Sequence, residues 1–171
     1  MVQKKMALPL SLLLICALAL VLIMQSLLGI SPTAPSPYNT YTLQALAWRE
    51  GRAHLAQDVP HLELAIFEGR YYVSFPPVPS VPIYFLTFIF GAGVPDGLLV
   101  LLYSLISVFV LWKLLYRKGF TSFAATAWSF LALFASSLLP LTLSGAVWYQ
   151  AQVLGLMLIL LAAERLDGGK P

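Results

Sequence analysis

Four apolar runs, each long enough to cross a lipid bilayer, decide what this chain can fold into. The first runs from Met6 to Ile30, and the others cover about Gly97–Leu115, Ser122–Leu141 and Leu143–Ala163. A hydrocarbon core about 30 Å thick needs roughly 20 apolar residues in a helix, because no water is present to satisfy a backbone N–H or C=O. Composition agrees with this reading. Of 171 residues, 60% are apolar and 10% are charged, and the mean hydropathy is +0.85. A soluble domain carries roughly 25% charged residues. The fold class expected is all-α integral membrane, with four transmembrane helices and a long extracytoplasmic first loop containing interfacial helices.

Length separates the first run from a secretory signal peptide. A signal would have a core of roughly 7–15 residues and a small-x-small cleavage site; this run follows Lys4-Lys5 and is long enough to be an uncleaved anchor. A further segment, Ser80 to Phe90, is too short to span before Gly91-Ala92-Gly93 and suits an interfacial or re-entrant helix. The break around Pro140 and Thr142, followed by Ser144-Gly145, reads as the turn of a helical hairpin.

Charge then chooses the topology. With four spans the cytoplasmic side holds Lys4, Lys5, Lys113, Arg117, Lys118, Arg165 and Lys170, seven of the ten basic residues. Were Ser80–Phe90 also to cross, only Lys4 and Lys5 would remain there. The excess of Lys and Arg in cytoplasmic loops favours four spans in the plasma (bacterial inner) membrane, both termini cytoplasmic and the loop outside. This divides the chain into an anchor (1–30), an extracytoplasmic loop (31–96) and three further spans with a short tail (97–171). The net charge of +3 is scattered, so nucleic-acid binding is not indicated. Cys16 lies alone inside an apolar run, and His54 and His61 have no ligand partners at metal-binding spacing, so no metal site is expected.

The loop holds the polar and aromatic chemistry. Ser31-Pro32-Thr33-Ala34-Pro35-Ser36-Pro37 reads as a stiff, extended exit, since proline fixes φ and disfavours helix in the residue before it. Thr40 to Ala56 reads as a helix on the outer leaflet interrupted at Gly51, with Leu43, Leu46, Ala47, Glu50 and His54 at helical spacing. Glu68-Gly69-Arg70 reads as a turn and Tyr71 to Phe75 as a short extended piece, before Pro76-Pro77-Val78-Pro79 leads into Ser80. Asp96 joins this outer face.

Several stretches taken in order carry a family resemblance. They are Glu50-Gly51-Arg52-Ala53-His54-Leu55, then Leu64-Ala65-Ile66-Phe67-Glu68-Gly69-Arg70-Tyr71-Tyr72, then Phe75-Pro76-Pro77, an apolar helix ending in Phe90-Gly91, and Gly145 to Gln152 at the start of the last span. This order resembles the N-terminal part of polytopic GT-C glycosyltransferases, the group of protein O-mannosyltransferase-like and aminoarabinose-transferase-like enzymes. The resemblance implies transfer of a sugar from a polyprenyl-phosphate donor at the outer face of the membrane, with no cofactor beyond that donor. It implies membrane lipid and a polyprenyl-phosphate sugar as partners, with a second membrane chain supplying further helices. The chain departs from the family in two places. The family carries an acid just after its first span, where this chain has Ser36-Pro37-Tyr38-Asn39-Thr40, and many members have a basic residue where Phe75 stands. Family enzymes also have more spans, so the chain resembles the first half of one, as a fragment or as a split or degenerate member.

Inverting sugar transfer needs a base for the acceptor hydroxyl and cationic groups for the departing phosphate. Under the resemblance Glu63 is the first candidate base and Asp58 the second. Arg70 and Arg52 are candidate phosphate clamps, because a guanidinium matches phosphate oxygens in pairs; anchoring to lipid headgroups explains them equally well. Tyr72 and Trp148 are candidate sugar platforms, and belong equally to an interfacial aromatic belt. Asn39 stands where the family acid would be and could position a hydroxyl. Gln152, polar within a span, should face other helices or the outer cavity. The reading from a different class is a non-catalytic scaffold or accessory subunit that binds lipid or a partner membrane protein.

Overall fold

The computed structural model describes residues 2–168, with side-chain surroundings for residues 8–167. Lys170, counted above with the cytoplasmic charges, lies outside the described residues, as do the side chains of Lys4 and Lys5. The elements are α1 (Val2–Leu27), α2 (Thr40–Arg49), β1 (Leu64–Phe67), β2 (Arg70–Val73), α3 (Ser80–Phe90), α4 (Asp96–Arg117), α5 (Ser122–Phe134), α6 (Leu138–Ser144) and α7 (Val147–Gly168). Three helices are long and apolar enough to cross a membrane, within α1, α4 and α7. The bent pair α5–α6, turned by 56°, makes up to four if it counts as one span. The protein is thus a mostly helical membrane protein.

Helix α4 is the centre of the bundle, with α1, α5, α6 and α7 around it. Leu13, Ala17 and Val21 recur every four residues along α1 and bury against Val100, Leu101, Val108 and Trp112 of α4; Val153, Leu154 and Met157 of α7 join the same core. Lipid tails are as apolar as leucine, so helices in a bilayer associate through close packing and hydrogen bonds. Ser104 and Thr142 supply one such bond at 2.6 Å between α4 and α6, and the Trp112 indole N–H donates to Thr126 Oγ1 at 3.0 Å between α4 and α5.

Helices α4 and α7 run in the same direction. At one end Gly145, just before α7, packs on Gly97 in the first turn of α4. At the other, Glu164 of α7 accepts from Lys113 Nζ at 2.6 Å and Arg117 Nη1 at 2.8 Å, while Lys118 pairs with Asp167. We call these the glycine end and the basic end.

The loop forms a cap at the glycine end. Helices α2 and α3 are parallel: Ser80 Oγ donates to Gln44 Oε1 at 2.6 Å, and further along Arg49 Nη1 donates to Thr87 O at 2.8 Å. Arg49 also stacks 4.4 Å over the Phe88 ring, so its charge rests at the negative end of α3. The small, polar side of α3 (Ser80, Thr87) with Ile83 faces α2, while Val81, Phe85, Phe88 and Ile89 are exposed. That inverted amphipathicity fits a short helix with its outer face in lipid, and 11 residues at about 1.5 Å each cannot cross.

Two details of the loop differ from the sequence reading. The helix expected over Thr40–Ala56 ends at Arg49, because Gly51 N and Arg52 N turn back to bond Trp48 O and Ala47 O and close its last carbonyls. The expected turn and short extended piece form a hairpin, with Leu64–Phe67 paired antiparallel to Arg70–Val73. Glu68 and Gly69 take φ of +50° and +69°, the two left-handed positions of a tight type I′ turn.

The bundle differs in two. The turn between the third and fourth apolar runs falls at Gly145-Ala146, between α6 and α7, rather than around Pro140, which occupies the first turn of α6, where its missing N–H is not needed; an additional, unexpected break at 135–137 bends the third run itself. Ser136 makes the break: its hydroxyl donates to Ala132 O at 2.6 Å and accepts from Leu138 N at 3.1 Å, displacing the helical ladder.

Two substitutions test these turns. Gly145 has φ +61°, and a Cβ there would come within 3.0 Å of Gly97 Cα; Gly145→Ala should cost roughly 1–3 kcal/mol, read as a lower thermal midpoint in detergent. Glu68→Asn should leave that midpoint unchanged or raise it, since asparagine tolerates the left-handed turn better than glutamate.

Candidate functional site

The cap brings one carboxylate, one imidazole and two large rings onto Trp148 in the first turn of α7. Glu63 is exposed just before β1, where Ser74 Oγ donates to its carbonyl at 2.6 Å and holds the two hairpin strands together. Its side chain accepts a hydrogen bond from the Trp148 indole N–H at 3.2 Å, across 85 positions of sequence. Around that indole lie Tyr38, with ring centres 5.5 Å apart, and Phe75, edge-on at 6.1 Å. His61 stands edge-on to Tyr38 at 6.0 Å, and its Nε2 lies 3.0 Å from Pro37 O. A carbonyl only accepts, so Nε2 carries the proton there and Nδ1 of the neutral ring is left as an acceptor.

A second carboxylate lies beneath, in the floor of the cap. Asp96, the first residue of α4, is 2% exposed. Its Oδ2 accepts from Ser36 N and its Oδ1 from Thr42 Oγ1, both at 3.3 Å. It ties the segment after α1, the start of α2 and the start of α4 to one point, and the helix N-terminus favours its charge. Tyr41 packs beside this floor with Ala45, Ile83, Val94 and Val147. Burial pushes its hydroxyl up to about 12, so it is a phenol, not a base, at neutral pH.

Of the residues picked out from the sequence, Glu63 and Trp148 meet directly. Tyr72 is half-buried on the hairpin, against His54 and Phe67 at 6.0 and 6.4 Å, away from the Trp148 cluster. Arg52 is engaged by Glu50 and by His54 O, the latter at 3.2 Å. Arg70 is exposed at the hairpin turn, and among the described residues its side chain has no ion pair or hydrogen bond. The same holds for exposed Asp58. Asn39 precedes α2 and offers its carbonyl to Thr42 N and Leu43 N, with no side-chain cap bond. Gln152 is exposed in a groove along α7, one turn below Trp148. Among the described residues no group of three or more metal-ligating side chains occurs.

Sequence reasoning missed Asp96 and Tyr38 as parts of this region. The signal for Asp96 was present: a lone acid after Pro95, at the boundary of an apolar run, marks a helix N-terminus. No local pattern announced Tyr38, whose place is set by α7. Comparison of the chain with protein-family models, with curated proteins and with solved structures finds no match.

Asp96 separates charge from hydrogen bonding in a direct test. Asp96→Asn can accept from Ser36 N through Oδ1 while its Nδ2 donates to Thr42 Oγ1, and should hold the cap, with a stability change within about 1 kcal/mol; Asp96→Leu leaves Ser36 N and Thr42 Oγ1 unpaired and should cost about 2–4 kcal/mol. Thermal unfolding in detergent and proteolysis of the loop read both.

Proposed function

We propose that this chain handles a sugar carried on a polyprenyl phosphate at the membrane surface, as the N-terminal part of a GT-C-like transferase. The observation that carries the reading is the exposed Glu63 carboxylate held by the Trp148 indole and flanked by Tyr38, Phe75 and His61. Carboxylates accept hydrogen bonds from sugar hydroxyls, and ring faces pack against the C–H face of a pyranose. In this reading Glu63 takes the proton of the acceptor hydroxyl while its oxygen attacks the anomeric carbon and the polyprenyl phosphate departs with the bonding pair. Arg70, with no partner of its own among the described residues, meets the phosphate. Asp96 positions the cap and does not touch the sugar.

The topology that goes with this reading has α5–α6 as one bent span, making four. Basic residues gather at one end, where Lys113, Arg117 and Lys118 meet Glu164 and Asp167. Under the positive-inside bias that end is cytoplasmic and the cap is extracytoplasmic. The alternative, a non-catalytic scaffold or accessory subunit, draws on the open apolar groove of about 720 Å³ between α1 and α5, bounded by Leu8, Leu12, Phe123 and Phe130.

Binding and transfer separate the two. The purified chain in nanodiscs should bind a polyprenyl-phosphate sugar saturably, and Arg70→Ala should weaken that binding roughly tenfold or more. Glu63→Gln should keep the fold and binding but lower transfer at least about 100-fold wherever transfer is observed. Binding that ignores Arg70→Ala and Trp148→Ala alike would remove the sugar reading and leave the scaffold.

A further inference from the structure

We infer that two copies of this chain associate within the bilayer through the exposed face of α7, with Gln152 of each copy hydrogen-bonding Gln152 of the other. A groove of about 460 Å³ runs between α4, the α5–α6 break and α7. Its walls are mostly leucine and valine, but Gln152, Ser136 and Ser137 also line it. Gln152 lies five residues into a span, is exposed, and its amide makes no hydrogen bond among the described residues. Two features of the groove therefore need a cover that lipid tails cannot supply. One is the unpaired amide; the other is the non-helical backbone at 135–137, which is tolerated at membrane depth only against protein or water.

Geometry and chemistry both select a second copy as that cover. On α7, residues 152, 155, 156 and 159 fall within about a third of the helix circumference at 100° per residue. This face presents Gln152, Gly155, Leu156 and Ile159, with Ile159 68% exposed. A Cβ at Gly155 would meet nothing within 4 Å, so the backbone there is open to close approach by another helix. The opposite face is spent inside the bundle, where Val153, Leu154 and Met157 are buried. A two-fold interface needs each group to be its own complement. A primary amide meets that requirement, because it donates through nitrogen and accepts through oxygen, and two of them close a paired ring of bonds. Serine hydroxyls at the break can join the same network. The inference stands independently of the sugar reading.

Site-directed cross-linking in liposomes tests it with the whole chain. In a Cys16→Ser background, Ile159→Cys should form disulfide-linked dimers on mild oxidation at high lipid dilution. Phe123→Cys, 83% exposed on α5, should not. Energy transfer between donor- and acceptor-labelled copies, measured across protein-to-lipid ratios, should show Gln152→Leu weakening the dimer roughly 3- to 30-fold, with Gln152→Asn between it and the parent. Equal cross-linking from positions 159 and 123 would overturn the inference. So would a chain that is monomeric at every ratio, or a Gln152→Leu variant that dimerises like the parent.

Discussion

The floor of the cap is organised by one buried carboxylate. Asp96 gathers the chain leaving α1 and the first turn of α2 onto the first turn of α4, which lies 54 to 60 positions further along the sequence. A carboxylate out of water costs several kcal/mol unless its lone pairs are used. The Ser36 amide, the Thr42 hydroxyl and the α4 N-terminus offset part of that cost. Because α2 carries α3 through Gln44 and Arg49, a contact at the floor fixes the orientation of the outer helices as well. The Glu63–Trp148 bond then closes the hairpin onto α7. The cap is therefore a body anchored at two separate carboxylates, one buried and one exposed.

Below the cap the bilayer changes what counts as cohesion. Apolar packing against neighbours gains little over apolar contact with lipid, so small residues and hydroxyls hold the helices together. Ser104 and Thr142, Trp112 and Thr126, and the facing glycines 97 and 145 fill this role. The long apolar grooves left between helices are unremarkable in that solvent, since acyl chains fill them. An uncovered amide is a different matter, and that contrast singles out α7.

Three candidate spans and the short α3 were legible because they depend on length and hydropathy alone; Ser80–Phe90 appears with the bounds its glycines and prolines suggest. The turn at Glu68-Gly69 was legible for the same local reason. What sequence could not supply was any contact whose partners lie far apart. Glu63 was selected for its neighbours in sequence, yet its hydrogen-bond partner comes from α7. Asp96 was assigned only to a face of the membrane, and its partners Ser36 and Thr42 could not be read at all. The hairpin turn was read at Pro140 because proline is the stronger general helix breaker, while the chain turns at Gly145; the bend at Ser136, where a serine hydroxyl is bonded on both sides, had no proline or glycine to announce it.

Helices α4 and α7 contain 22 residues each and are fastened at both ends, by the Gly97–Gly145 contact and by the Glu164 and Asp167 ion pairs. They are a length-matched pair. One residue inserted into either helix would lengthen it by about 1.5 Å and turn everything beyond by about 100°. The inserted helix could then keep only one of its two fastenings. Added or lost residues should therefore be tolerated in the connections rather than in either helix, and the distance between the cap and the basic end is set by this pair.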